Sequence, residues 1–215
     1  IMLSSKDGLF DKARGRIVGS EQYVTKPFTR DELLDAGEDL FSTQPFEEIS
    51  MEDIAAYAGV TRALLYHYFS SKAEFFGAIW ARAHERLRDS GSTAAPTTVR
   101  DQVAHALAAY LDFYAEHLPL VVVANRSSIS RDPAVRRPID RNFAIMCAAI
   151  LDAAGTTGHA RELAEAAFTG WIAFVRETSL ATYLDERLTP AENLDLCMAA
   201  FDATVGVHAD LTRPP

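Results

Sequence analysis

The sequence predicts an all-α protein of about nine helices, divided into an N-terminal three-helix helix-turn-helix domain and a larger C-terminal helical domain. Apolar residues recur at helical spacing, and several of these stretches follow a Ser or Thr with an acid three residues later, the pattern that closes a helix N-terminus. Strand-like alternation is absent. With 215 residues, 48% of them hydrophobic and 24% charged, the chain can form one or two domains around a substantial core.

Residues 1–26 have no clear periodicity, and glycines at positions 8, 15 and 19 argue against a long helix. Their lysines and arginines make the segment a mildly basic N-terminal arm. The alternative interpretation is a flexible tail or an expression remnant.

Residues 27–71 form the predicted helix-turn-helix domain. Thr29 begins a capping box for a helix over 29–43, and Ser50 begins another for a helix over 50–58. Gly59 suits a left-handed turn, and Thr61 is a good cap for a helix over 61–68. Two short helices across a glycine turn are typical of a helix-turn-helix.

The charge pattern of this stretch favours contact with DNA. Acids stop at Asp53 and resume only at Glu74, and phosphate repels carboxylates. Arg62 suits a guanine edge, Thr61 a phosphate or a base, and Leu64 a thymine methyl group. Tyr66 and Lys72 suit phosphate contacts that position the protein. The alternative is that each of these side chains is an ordinary surface or packing residue.

The string of matching residues resembles the TetR family of transcriptional regulators. The matches are Phe28-Thr29, Ile49-Ser50, Ile54-Ala55, Ala58-Gly59-Val60-Thr61, Leu65-Tyr66, Tyr68-Phe69, Ser71-Lys72 and Glu74. The resemblance implies that the second helix of the motif enters the major groove. It places Thr61, Arg62, Leu64, Tyr66, His67 and Lys72 against DNA and Ser50 near a phosphate. The order of Leu65-Tyr66-His67-Tyr68 departs from the family pattern, so either His67 or Tyr68 is the phosphate contact. The arm is then expected to touch the DNA backbone or minor groove.

Residues 72–215 form the predicted effector-binding and dimerisation domain, which residues 72–89 join to the first domain as a connecting helix. A loop over 90–96 follows. Further helices are expected from Thr98, over 119–130, over 132–154, over 160–184 and over 190–209.

The resemblance implies a homodimer that binds a palindromic operator, with the last two long helices at the interface. Small residues for close approach and large ones for burial are Ala166, Ala167, Gly170, Ala173, Leu194, Phe201 and Val205. The alternative is packing within one subunit.

The resemblance also implies a pocket for an unknown small-molecule effector that controls operator binding by a repressor. The candidate lining residues are Tyr110, Phe113, Tyr114, His117, Asn125, Arg126, Phe143, Met146, Trp171 and Phe174. Aromatic residues at helical spacing are otherwise typical of plain core. An effector would shift the connecting helix and change the separation of the two recognition helices.

Other functions find little support in the sequence. Motifs for phosphate loops, dinucleotide binding, metalloproteases and serine hydrolases are absent, so we expect no enzyme activity, no cofactor and no metal. We expect a cytoplasmic protein with no membrane span and with Cys147 and Cys197 as buried free thiols. The net charge of −9 requires that DNA contact rest on a local patch. A helical ligand-binding protein that has lost DNA binding, or an activator of the same fold, remains an alternative.

Overall fold

The computed structural model describes residues 28–89 and 96–215, which form nine α-helices and one short 3-10 turn without strands. The proposed arm over 1–26 and most of the predicted loop over 90–96 lie outside these residues. The helices are α1 (Arg30–Thr43), α2 (Met51–Ala58), α3 (Arg62–Tyr68), α4 (Lys72–Asp89), α5 (Val99–Glu116), α6 (Leu118–Arg126), α7 (Pro133–Ala153), α8 (Gly158–Tyr183) and α9 (Pro190–Thr204).

The first three helices begin and end at the residues that the capping pattern predicts. Thr29 and Ser50 each form a complete capping box, the former with Glu32 and the latter with Asp53. Gly59 ends α2 with φ of 69°, a left-handed conformation that a side chain would oppose. The turn to α3 is therefore fixed by local chemistry.

The small domain is closed by the helix that follows it. Leu33, Ile54 and Leu65 are fully buried and hold α1, α2 and α3 together. Phe75 and Phe76, on the first turns of α4, are equally buried in the same cluster. Because α4 completes this core, it cannot move far without carrying the small domain with it.

Helix α4 also packs along α7 of the larger domain. Gly77 permits a close approach, since a Cβ there would meet the backbone carbonyl of Ala134. On another side of α4, the Arg82 guanidinium contacts Asp35 at 2.9 Å and Glu38 at 3.0 Å, both on α1. Helix α6 packs against α1 as well. The connecting helix thus contacts both parts of the chain.

A second core joins α5, α7, α8 and α9. Trp171 lies in this core, and its indole N–H donates to the Cys197 carbonyl at 2.8 Å. The centre of its ring lies 4.8 Å from the centre of the Phe201 ring. Cys147 and Cys197 are free and buried. Phe201 and Val205 are fully buried here. This placement corrects the expectation that these two residues face a second copy of the chain.

Two helices end before their predicted limits. Helix α6 ends at Arg126 and not at 130, because Ser127 takes an extended backbone and its hydroxyl donates to the Val123 carbonyl at 2.6 Å. Helix α9 ends at Thr204 and not at 209, because turns follow and the Gly206 N–H bonds to the Phe201 carbonyl. Periodicity alone does not reveal such local breaks.

Across the described ranges, none of the helices has by itself the length and apolar composition that a bilayer span needs. Helices α5 and α6 meet those limits only as a pair, and they are bent by 95° where they join.

Candidate nucleic-acid interface and helical-domain cavity

Helix α3 presents a face without carboxylates to solvent. The Thr61 hydroxyl accepts the backbone N–H of Leu64 at 3.2 Å and so caps the helix. Leu65 is fully buried, which turns the opposite face outward. The exposed side chains on and beside this helix include Thr61, Arg62, Tyr66, His67 and Tyr68, and Leu64 is half-buried beside them.

Arg62 is held over this face by two neighbours. Its Nη1 lies 2.7 Å from Oε1 of Glu52, and its guanidinium lies 5.2 Å from the centre of the Tyr66 ring. Glu52, in the first turn of α2, is a residue that sequence reasoning missed. It lies ten positions before Arg62, so a linear survey of charge places it outside the acid-free stretch. Phosphate would compete with this carboxylate for Arg62.

His67 and Tyr68 differ in what they contact. The Tyr68 hydroxyl donates to the Phe28 carbonyl at 3.4 Å and so braces the start of α1. The His67 ring stands edge-on to that of Tyr68, with 5.5 Å between the centres, and stays exposed. His67 is therefore the freer of the two side chains for contact with a phosphate.

Lys72 does not reach the exposed face as expected. Its Nζ donates to the carbonyls of Phe46 and Ile49 at 2.7 and 2.6 Å and lies 4.1 Å from the centre of the Phe46 ring. Burial lowers the pKa of Lys72, and the charge of Glu47 opposes this shift. The ammonium group clamps the turn before α2 to the start of α4, which corrects its assignment as a phosphate contact.

The Ser50 side chain is also occupied. Its hydroxyl donates to the Asp53 carboxylate at 2.5 Å and accepts the Asp53 backbone N–H at 3.1 Å. The hydroxyl and backbone N–H of Ser50 lower the pKa of Asp53. Ser50 therefore acts first as the cap of α2, and a phosphate near it would have to compete with Asp53.

The larger domain contains a partly open cavity of about 30 Å³. That volume admits about one or two water molecules, whereas ligand sites span about 300–1,000 Å³. The cavity lies between α4, α5, α6, α7 and α8. Its lining residues are Trp80, Tyr110, Tyr114, Asn125, Arg136, Ile139, Asp140, Phe143, Ile172 and Arg176.

Four of the ten predicted pocket residues line this cavity: Tyr110, Tyr114, Asn125 and Phe143. The other six lie elsewhere, and the structure gives a reason for each. Trp171 and Met146 pack in the second core, and Phe174 is exposed. Phe113 packs beside Trp80 and His84, and His117 caps the end of α5. Arg126 pairs with Glu177 at 3.0 Å beside an open groove of about 650 Å³. Six lining residues were not predicted: Trp80, Arg136, Ile139, Asp140, Ile172 and Arg176. The two arginines among them carry no periodic apolar signal that could have identified them.

The predicted interface residues divide into an outer and an inner group. Ala166 and Gly170 are exposed on α8, Ala167, Ala173 and Leu194 are half-buried, and Phe201 and Val205 are inside. Large apolar side chains that the prediction missed are exposed near the outer group. They are Leu163 and Phe174 on α8, Leu196 on α9 and Val207 beyond it.

No group of three or more His, Cys, Asp or Glu side chains among residues 28–89 and 96–215 is arranged to hold a metal ion.

A family model and a named helix-turn-helix regulator agree with the motif. The sequence model described as bacterial regulatory proteins, tetR family, matches residues 33–79. The HTH-type transcriptional activator FasR of Mycolicibacterium smegmatis is 34% identical over 86 residues, which cover 39% of this chain and 39% of that protein. Protein PilG of Pseudomonas aeruginosa is 81% identical over 36 residues, 17% of this chain and 27% of that protein. The chain thus spans less than half the length of these relatives.

A solved structure extends the likeness to the larger domain. The crystal structure of a tetR-family transcriptional regulator from Streptomyces coelicolor superposes with a TM-score of 0.64 and 27% sequence identity. The superposition covers 83% of this chain and 83% of that one, so both domains are included.

Proposed function

Since this chain belongs to the TetR family of bacterial regulatory proteins, we propose that it is a cytoplasmic, sequence-specific transcriptional repressor. Two copies bind a palindromic operator through α3, and a small molecule in the larger domain controls that binding. The observation that carries the proposal is the exposed face of α3, whose own residues include no carboxylate, with Arg62 at its start.

The geometry of α3 supports base recognition. Arg62 stands in the first turn, and in helix-turn-helix domains the N-terminal residues of the recognition helix contact base edges. Its guanidinium can donate two hydrogen bonds to a guanine. Tyr66 and His67 lie farther along the same exposed face and suit phosphates, which add affinity but no sequence choice.

The exposed apolar surface of α8 and α9 supports a homodimer. Leu163, Phe174 and Leu196 are each more than a third exposed, and Gly170 stands among them with open space beside it. Large apolar side chains exposed together on neighbouring helices are typical of protein interfaces. A two-fold dimer would set the two α3 helices about 34–36 Å apart, one turn of DNA. Analytical ultracentrifugation that finds only monomer at micromolar concentration would count against the dimer.

The direction of control has two candidates. Repression is the form implied by the sequence resemblance, whereas the similarity to FasR, named as an activator, favours activation. A reporter gene placed behind the selected operator separates the two, because expression falls with a repressor and rises with an activator.

The decisive experiment is selection of bound DNA from a random pool, followed by titration at two salt concentrations. We expect a palindrome and a steep fall in affinity with salt. Arg62→Ala should lose about 1–3 kcal/mol of discrimination between the operator and its base-substituted forms. The matched control is Arg141→Ala, which removes an exposed arginine from α7 and should leave discrimination unchanged.

A negative outcome is equally informative. No enriched sequence, together with weak binding that Arg62→Ala does not alter, would contradict the proposal and favour a helical ligand-binding protein that has lost DNA recognition. Repeating the selection with small-molecule extracts detects a protein that needs its effector to bind.

A further inference from the structure

One residue that lines the cavity in the larger domain has a buried indole N–H without a hydrogen-bond partner. Trp80 lines the cavity, is 1% exposed, and its Nε1 makes no hydrogen bond. Buried donors are nearly always paired, because losing water without a replacement costs free energy. An unpaired donor beside a cavity therefore indicates a missing acceptor.

The rest of the polar lining favours an anionic acceptor. Arg136 and Arg176 both line the cavity, and a single carboxylate, Asp140, accompanies them. Arg136 contacts Asp140 at 3.5 Å, a long separation for an arginine–carboxylate pair, and Asp140 is mostly exposed. Arg176 contacts only its chain neighbour Glu177, at 3.4 Å, among the ion pairs of the described residues. Both guanidinium groups thus remain available to a second carboxylate.

Two buried tyrosines add uncharged hydrogen-bonding groups beside these arginines. The Tyr110 hydroxyl donates to that of Tyr114 at 2.8 Å. Burial raises the pKa of both tyrosines, so both stay protonated. The charges of Arg136 and Arg176 reach both hydroxyls and oppose that shift. The two arginines therefore lie close enough to act on both hydroxyls, and the lining also includes the polar Asn125 and the apolar residues Ile139, Phe143 and Ile172.

We propose that this cavity opens to bind a small monocarboxylate with an aromatic or alkyl tail. The carboxylate pairs with Arg136 and Arg176 and accepts the Trp80 N–H, while the tail displaces apolar contacts around Phe143. This inference rests on the proposed effector control and names the chemical class of the effector. It also gives Trp80 a role, since this residue lies on α4 and ligand binding acts directly on the connecting helix.

The volume of the cavity sets a condition on binding. At about 30 Å³ it is closed to such a ligand, so α4, α7 and α8 must separate before or during binding. The apparent affinity is then reduced by the small population of the open state. Separation of α4 from α7 is also the motion that would reposition α3.

The experiment uses the intrinsic fluorescence of Trp80. The chain has two tryptophans, so Trp171→Phe leaves Trp80 as the only one. This variant is titrated with 4-phenylbutyrate and octanoate and, as matched controls, with the corresponding uncharged amides. We expect saturable fluorescence changes with the acids and at least about tenfold weaker binding of the amides, the effect of one lost charge-assisted contact.

Variants assign the contacts, with calorimetry on the otherwise unaltered chain as the measurement. Arg176→Gln and Arg136→Gln should each weaken acid binding about tenfold or more, and Trp80→Phe should weaken it while keeping an aromatic ring. Arg141→Gln, on the exposed side of α7, should not change it. Equal binding of acids and amides would overturn the inference, as would no binding of either acid at millimolar concentration by both methods.

The same samples are tested for operator affinity, which separates this inference from the proposed function. Acid binding that leaves operator affinity unchanged supports the ligand class but contradicts effector control. Operator binding in a protein that binds neither acid overturns the ligand class alone.

Discussion

Replacing Gly77 with alanine tests how closely α4 and α7 are packed. A Cβ at this position would lie 2.9 Å from the carbonyl carbon of Ala134 and closer still to its oxygen. Because unstrained carbon contacts begin at about 3.5 Å, the two helices must separate by about half an ångström or more. The clashing atoms belong to the backbone, so no side-chain rotation can relieve the contact.

The expected destabilisation follows from two opposing effects. Overpacking of this kind costs about 1–3 kcal/mol, and a rigid backbone neighbour places Gly77→Ala at the upper end. Alanine recovers about 1 kcal/mol through its helix propensity. The net loss of about 2 kcal/mol should lower Tm by roughly 4–8 °C for a chain of this size. Since α4 carries the small domain, operator affinity should change as well.

Thermal unfolding and operator titration measure both effects. Gly170→Ala, on the proposed interface of α8, serves as the comparison variant for Tm only. A Cβ at Gly170 would meet nothing within 4 Å in its own subunit, so helix propensity alone should raise Tm by about 2–4 °C. A drop in Tm for Gly170→Ala with loss of dimer mass would instead place this residue at a close contact between copies. An unchanged or higher Tm for Gly77→Ala would refute the close packing of α4 on α7.

Four further predictions concern single side chains. Lys72→Met should cost about 1–3 kcal/mol in urea unfolding, because two carbonyls lose a charged donor; an unchanged midpoint would contradict the clamp. Phe201→Ala should cost about 3–5 kcal/mol, the value for a core residue; loss of the dimer at normal stability would place it at an interface. The pKa of the Cys147 thiol is raised to about 11 by burial, so a thiol reagent at about pH 8 should react only after unfolding. The pKa of Asp53 is lowered in the folded protein, so its ionised carboxylate stabilises the fold at pH values above the ordinary pKa of about 3.9. This stabilisation is lost as pH falls through the lowered pKa, so Asp53→Asn should flatten the acid side of a plot of Tm against pH.

The helix-turn-helix could be predicted closely because its signals are local. Thr29, Ser50 and Thr61 cap the helices that follow them, and Gly59 takes the left-handed conformation that ends α2. Each of these interactions joins residues within four positions of one another. Nothing distant in the chain can easily override them, so the sequence specifies them directly.

The contacts made by charged side chains could not be predicted in the same way. Lys72 bonds to carbonyls more than twenty residues earlier, and Arg62 pairs with Glu52 across the turn between helices. Both partners become neighbours only after the helices pack. The charge pattern of the sequence therefore indicates which segment can contact DNA, but not which basic side chain in it is free of other partners.

Apolar periodicity has a similar limit in the larger domain. Helices α8 and α9 carry apolar residues on more than one side, and the pattern does not say which side faces inward. Phe201 was expected outside and is buried, whereas Phe174 was expected at a pocket and is exposed. The contact between Trp171 and Phe201 shows which side of α8 and which side of α9 face inward.

The position of Trp80 and Arg82 on α4 links the cavity to the small domain by a short physical route. Trp80 lies in the wall of the cavity, and two residues later Arg82 pairs with Asp35 and Glu38 on α1. Arg82 is only 12% exposed, so separating it from both carboxylates would leave charge poorly solvated. A displacement of α4 at the cavity therefore costs less free energy if α1 moves with it than if these ion pairs break. Since α1 shares a core with α2 and α3, the recognition helix moves as part of the same unit.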